Sequence, residues 1–257
     1  MKSLTVDGVR LAYHVEGAEY SPPIVLINSL GTDSRMWDPQ IPELSLSFRV
    51  LRYDVRGHGK SEVSNEPVTI ERLGLDLLAL LDELSITTAR ICGLSLGGVV
   101  ALWLAIHYPE RIERAVFANT AARIGTVEGW DARIEAVRAG GMKAVRETVL
   151  ARFLSAGFRS QHPETTQWIG DMLEATNPAG YIAACAALRD IDLRGLIHKI
   201  RVPCLIIAGA LDEATPPAQA EELHQAISGS DLIIFQDVAH LSNVEQPEAF
   251  TVCLLQD

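Results

Sequence analysis

Nothing in the 257-residue sequence approaches the roughly 20-residue apolar run that a membrane-crossing helix needs, and residues 1–8 have no apolar stretch of signal-peptide length. A cytoplasmic protein is therefore expected, with no membrane partner. Cysteine is scarce: the four, at positions 92, 185, 204 and 253, are scattered, sit mostly in apolar neighbourhoods and have no metal-type spacing. They are expected to be buried thiols, and no metal site is expected. Positive charge is also short, with 22 Lys and Arg against 33 Asp and Glu, a formal net charge of −11. That balance favours solubility and opposes bulk attraction to nucleic acid or an anionic membrane. An anionic ligand would need a local cationic pocket. Repeats and low-complexity linkers are absent as well. What is present is a 48% hydrophobic chain of a length that buries one large core, with room for an inserted subdomain.

Short apolar runs at 23–27, 48–53, 89–92, 115–118, 203–208 and 232–235 read as strands buried on both faces. Between most of them lie helical patterns, such as 70–84, with leucines at 73, 77, 80, 81 and 84, and 97–107, which ends at Tyr108-Pro109. This alternation predicts an α/β fold, a mostly parallel sheet with helices on both faces. Segments 2–6 and 9–14, parted by Asp7-Gly8, read instead as an antiparallel hairpin on the sheet edge. From Thr120 to about Lys199 the alternation stops, and helical patterns at 130–139, 142–156, 164–175 and 179–190 follow without a convincing strand. The sheet resumes at Val202-Pro203. Such an insertion reads as a helical cap, 121–199, over a core made of 1–120 and 200–257. The C-terminus, 250–257, is helical in pattern.

The string Ile91-Cys92-Gly93-Leu94-Ser95-Leu96-Gly97-Gly98-Val99-Val100 sets Ser95 between two glycines, after a strand-like run and before a helix-like one. A sharp strand-to-helix turn holds a side chain in a strained, exposed position where an acyl carbonyl can reach its oxygen. Glycine at 93 and 97 removes the Cβ atoms that would clash across so tight a turn. The alternative is an ordinary Ser capping a helix, and the flanking context argues against it.

An activated Ser needs a base, and the base needs an orienting carboxylate. Asp212 follows a strand-like run in the loop Gly209-Ala210-Leu211-Asp212-Glu213, and His240 follows the last one in Val238-Ala239-His240. Loops at the carboxyl ends of parallel strands are where α/β sheets place their sites. Glu213 competes with Asp212 for the acidic role. Among the other histidines, His58 lies in a turn, His107 ends a helix, and none follows a terminal strand as His240 does.

At these residues the chain resembles the α/β-hydrolase fold family over essentially its whole length, and the order Ser, Asp, His is the one expected there. Asp54-Val55-Arg56-Gly57-His58-Gly59-Lys60-Ser61 resembles the family's glycine-rich turn after an early strand. Its expected role is structural, with Arg56 and Asp54 tying loops together. An oxyanion hole needs two backbone N–H groups aimed at the developing charge. One is expected from Leu96. The resemblance implies Leu30 for the other, in Asn28-Ser29-Leu30-Gly31-Thr32-Asp33, where many members carry His-Gly in place of Asn28-Ser29.

That loop with Met36-Trp37-Asp38-Pro39-Gln40, and the stretch Asn119-Thr120-Ala121-Ala122-Arg123-Ile124-Gly125 with Trp130 and Arg133, are similar to the 3-oxoadipate enol-lactonases. This resemblance implies a small anionic lactone as substrate, attacked by Ser95 with His240 as base and Asp212 holding the imidazolium; no cofactor is implied. The substrate's free carboxylate calls for an Arg, whose planar donors bind it in a bidentate fashion. Trp130 and Arg133, three residues apart, share a helix face and are expected in the pocket roof. Plain packing is the other reading for the Trp, and solvation for cap arginines such as Arg123, Arg138 and Arg146. A carboxylesterase or a C–C bond hydrolase of a ring-cleavage product shares the same triad. Epoxide hydrolases and haloalkane dehalogenases are disfavoured, because their elbow carries Asp. Outside enzymes stands a non-catalytic receptor on the same fold. The sequence leaves open whether the chain forms a homo-oligomer.

Overall fold

The computed structural model describes residues 1–256; Asp257, the last residue of the expected C-terminal helix, lies outside them. Eight strands form one sheet: β1 (Lys2–Val6), β2 (Val9–Glu16), β3 (Pro23–Ile27), β4 (Arg49–Tyr53), β5 (Ala89–Leu94), β6 (Ile112–Ala118), β7 (Cys204–Gly209) and β8 (Asp231–Phe235). Their spatial order is β1-β2-β4-β3-β5-β6-β7-β8. β1, β2 and β4 pair antiparallel, and every pairing from β4 onward is parallel. Asp7 and Gly8 turn the β1–β2 hairpin with φ of 47° and 74°, the left-handed pair that a two-residue hairpin loop requires.

Helices cover both faces. In chain order they are α1 (Ile41–Ser47), α2 (Ile70–Glu83), α3 (Leu96–His107), α4 (Val127–Gly140), α5 (Arg146–Phe153), α6 (Ala156–Gln161), α7 (Pro163–Ala175), α8 (Pro178–Asp190), α9 (Pro217–Ala226), α10 (Ser242–Glu245) and α11 (Pro247–Leu255). Thr69 starts α2 by accepting a hydrogen bond from the Arg72 N–H at 3.0 Å. α3 is buried from Leu96 to Ala105, packed against β3, β5 and β6, which explains its lack of a polar face. Phe250 of α11 is buried with its ring 5.9 Å from that of Trp37, so the C-terminal helix docks on the core. All four cysteines are free and buried. Among the described residues no helix is long and apolar enough to cross a membrane.

Two local expectations change. The run 142–156 is not one helix: a short 3-10 turn at Met142–Ala144 precedes α5, and the chain is extended at Leu154 before α6. Ser155 makes the break. Its N–H and hydroxyl both bond to Glu245, at 3.1 and 2.6 Å, and its oxygen accepts the Phe158 N–H to cap α6. β8 is half-buried rather than buried on both faces, because it pairs with β7 alone at the sheet edge.

The register brings the site together. Ile27 pairs with Gly93, Leu94 with Ala118, and Ala118 with Ile207, so β3, β5, β6 and β7 end side by side. The loops leaving those ends carry Leu30, Ser95, Asn119 and Asp212. Between β6 and β7 the chain forms α4 to α8 and no strand.

Candidate active site

Ser95 joins β5 to α3 with φ 56° and ψ −113°, a conformation costly for any residue with a Cβ. Its backbone is held on three sides: the N–H donates to Ala118 C=O, and the C=O accepts from the Val99 N–H and Thr120 Oγ1, each at 2.9 Å. A Cβ at position 93 would lie 2.0 Å from the Gly97 carbonyl oxygen, and one at 97 would lie 2.2 Å from that of Ile27. Both glycines are thus demanded by backbone against backbone.

Asp212 and His240 form a buried pair, 3% and 2% exposed, with His240 Nδ1 2.8 Å from Asp212 Oδ2. The carboxylate is saturated. Oδ1 accepts from the Ala214 and Thr215 N–H groups at 2.8 and 3.0 Å, and Oδ2 also accepts from Thr215 Oγ1 at 2.8 Å and Asn119 Nδ2 at 3.0 Å. Burial alone would raise the Asp212 pKa. The His240 ring and the Thr215 and Asn119 donors outweigh it and hold the acid below its ordinary value. An ionised acceptor at Nδ1 places the imidazole proton there and leaves Nε2 as the basic nitrogen. Phe153 stacks on the ring with centroids 5.6 Å apart, and Glu213, the competing acid, is exposed.

Ser95 and His240 line one cavity of about 200 Å³, although among the described residues their side chains are not hydrogen-bonded to each other. Catalytic contacts are often loose before a ligand arrives. The cavity is below the about 300–1,000 Å³ typical of drug-sized ligands, which suits a small molecule. Leu30 lines it beside Ser29, in a loop braced by Asn28, whose Nδ2 donates to the Thr32 carbonyl at 2.7 Å and whose Oδ1 accepts the Val55 N–H at 3.1 Å. Leu96 is the first residue of α3, where a helix leaves its N–H groups without intrahelical acceptors.

Trp130 and Arg133, the two helical residues expected in the pocket roof, lie on α4. Trp130 donates its indole N–H to the Ile124 carbonyl at 2.7 Å, and the Arg133 guanidinium lies over its ring, 5.2 Å from the centroid. Both face the cavity. By contrast Arg123, Arg138 and Arg146 pair with acidic side chains elsewhere. Asp54 accepts the Ser34 and Lys60 N–H groups and so ties loops as expected, whereas Arg56 ties the glycine-rich turn to helix α2 through a buried pair with Asp76 at 2.6 Å. No group of three or more His, Cys, Asp or Glu among the described residues could hold a metal ion.

Cavity residues that the sequence reading did not single out include Phe153 and Arg152 of α5 and Tyr181 of α8. Among the described residues neither Arg133 nor Arg152 has a carboxylate partner. In a chain of net charge −11, two such cations in one cavity make the local positive pocket that an anionic ligand needs. Thr215 and Asn119, which complete the Asp212 shell, were also missed. Thr215 sits three residues after Asp212, a spacing suited to a side chain folding back on its own loop.

Residues 22–247 match a family model described as alpha/beta hydrolase fold. The chain is similar to 3-oxoadipate enol-lactonase 2 of Acinetobacter baylyi, 40% identical over 248 residues, covering 96% of this chain and 92% of the relative. It is 42% identical to 3-oxoadipate enol-lactonase 1 of the same organism over 244 residues, 95% of this chain and 91% of that one. Among solved structures, the enol-lactonase from Burkholderia xenovorans LB400 superposes with a TM-score of 0.97 at 44% identity, covering 99% of this chain and 98% of that one.

Proposed function

The chain belongs to the alpha/beta hydrolase fold family and is a hydrolase of carboxylic esters or lactones, and from that premise we propose that it hydrolyses 3-oxoadipate enol-lactone to 3-oxoadipate through an acyl-enzyme on Ser95. The observation that carries this reading is the pairing of His240 and Asp212 at 2.8 Å beside a cavity shared with the strained Ser95 and roofed by the unpaired Arg133. In it, α4 to α8 act as the cap.

Ser95 Oγ attacks the lactone carbonyl while His240 Nε2 takes its proton. Asp212 stabilises the imidazolium and keeps the ring oriented. The carbonyl oxygen becomes an oxyanion held by the Leu30 and Leu96 N–H groups. Collapse breaks the ring C–O bond, and His240 returns the proton to the leaving enol oxygen. That enol is a better leaving group than an alkoxide, and its tautomerisation to a ketone makes ring opening hard to reverse. Water deprotonated by His240 then attacks the acyl carbonyl, and the acid leaves as the proton passes back to Ser95. Arg133, stacked on Trp130, binds the substrate's free carboxylate. The chemistry needs no cofactor, and the reaction belongs to aromatic catabolism through β-ketoadipate.

Loss of the lactone's ultraviolet absorbance tests the reading, with p-nitrophenyl acetate run alongside. Fast turnover of the lactone by wild type, abolished in Ser95→Ala, is expected. Ser95-dependent cleavage of the simple ester alone would leave the triad standing and remove the lactone assignment.

A further inference from the structure

Tyr181 of α8 lines the same cavity and is fully buried, 0% exposed. Its ring packs over the turn at Gly31, where an added Cβ would come within 2.9 Å of it. Yet its hydroxyl makes no hydrogen bond of standard geometry, the Arg133 guanidinium being a near neighbour placed off the ideal line. Native proteins rarely leave a buried hydroxyl unsatisfied, since it loses its hydration and gains nothing in return. A group left so at a cavity wall marks a place for a ligand atom.

The surroundings say which kind of atom. Burial raises the Tyr181 pKa, so the phenol keeps its proton and is a donor, while the nearby Arg133 and Arg152 guanidiniums pull in the opposite direction. Both cations lack a carboxylate partner among the described residues. With its oxygen available to accept from a guanidinium, a phenol O–H beside two arginines offers a ligand donors, and a carboxylate is an acceptor only, with room for several hydrogen bonds on its two oxygens.

We propose that the Tyr181 hydroxyl and Arg152 complete, together with Arg133, a carboxylate clamp that fixes the arm of the substrate opposite its reacting carbonyl and so selects carboxylate-bearing lactones and esters over neutral ones. The clamp deepens the enol-lactonase reading and rests on it for the identity of the substrate. It also implies that short dicarboxylates occupy the cavity, with one end in the clamp.

The test uses binding, which does not depend on turnover. Glutarate and its neutral diamide are titrated by calorimetry into wild type, Tyr181→Phe and Arg152→Gln. Tyr181→Phe is isosteric and removes a hydroxyl that has no hydrogen bond of standard geometry, so its thermal midpoint should be unchanged or higher. Wild type should bind glutarate at least about tenfold more tightly than the diamide, and each variant should weaken glutarate about tenfold while leaving the diamide unaffected. With the lactone, Tyr181→Phe should raise KM more than it lowers kcat. Equal binding of glutarate and diamide by wild type overturns the clamp, and unchanged glutarate affinity in a variant overturns that residue's part in it. Failure to hydrolyse the lactone with glutarate binding still dependent on Tyr181 removes the substrate assignment and leaves the clamp.

Discussion

Replacing Asp212 with Asn should cut turnover about ten-thousandfold without unfolding the protein, and the hydrogen bonds around the carboxylate explain why so small a change costs so much. Oδ1 faces the Ala214 and Thr215 N–H groups, which cannot turn away, so the amide oxygen of Asn must take that position. The NH2 then replaces Oδ2 and points at His240 Nδ1, now 2.8 Å away. Asn119 cannot easily offer an acceptor instead, because its own Oδ1 already receives the Ser242 hydroxyl at 2.5 Å. His240 is driven to accept at Nδ1, which puts its proton on Nε2. That tautomer cannot take a proton from Ser95. A triad with its imidazole in the wrong tautomer loses about 10⁴ in kcat, or roughly 5 kcal/mol of barrier. The assay is kcat on the lactone and on p-nitrophenyl acetate, with circular dichroism to verify the fold and Glu213→Gln as the control. Activity above about a tenth of wild type in Asp212→Asn, or a comparable loss in Glu213→Gln, would refute the reasoning.

Arg133→Gln removes a charged donor from the cavity and should raise KM for the lactone about ten- to a hundredfold, read from initial rates. Gly97→Ala forces a methyl group to within 2.2 Å of the Ile27 carbonyl oxygen, and urea unfolding should show a loss of at least about 1–3 kcal/mol. His58 is fully buried, with Nδ1 3.3 Å from the Arg56 carbonyl and Nε2 unpartnered; burial lowers its pKa from 6.5 to about 4. The unfolded chain therefore binds more protons than the folded one between those values, and stability should rise with pH across that window by roughly 3 kcal/mol. A His58→Asn variant should lose most of that slope in denaturant melts taken from pH 4 to 7. Asp212 acts in the same direction at lower pH: its lowered pKa contributes stability that is present above the unfolded value near pH 4 and is lost as pH falls through the folded one.

The parts legible in sequence are those fixed by local chemistry. Gly93, Ser95 and Gly97 can be read because a turn in which a Cβ would overlap a carbonyl leaves its mark within a few residues. Asp212 and His240 can be read because they follow strands, and the sheet brings strand ends together. The hairpin at Asp7-Gly8 needs only its own two residues. What escaped depends on contacts far along the chain. The break at Ser155 is made by Glu245, 90 residues on, and no periodicity within 142–156 records it. Tyr181 lies on a helix whose inward side chains all look like core, and only the placement of α8 over Gly31 distinguishes a cavity wall from packing. Arg152 was one of several arginines between β6 and β7, and its lack of an acidic neighbour is a fact of three dimensions.

The central claim, that Ser95 is the nucleophile of this cavity, is tested most directly by labelling with a fluorophosphonate and locating the adduct by peptide mass spectrometry. One adduct per chain on the peptide containing Ser95, with lactone turnover lost in proportion to labelling and protected by the product, is the predicted result. An adduct elsewhere, or full turnover in protein quantitatively labelled at Ser95, would contradict it.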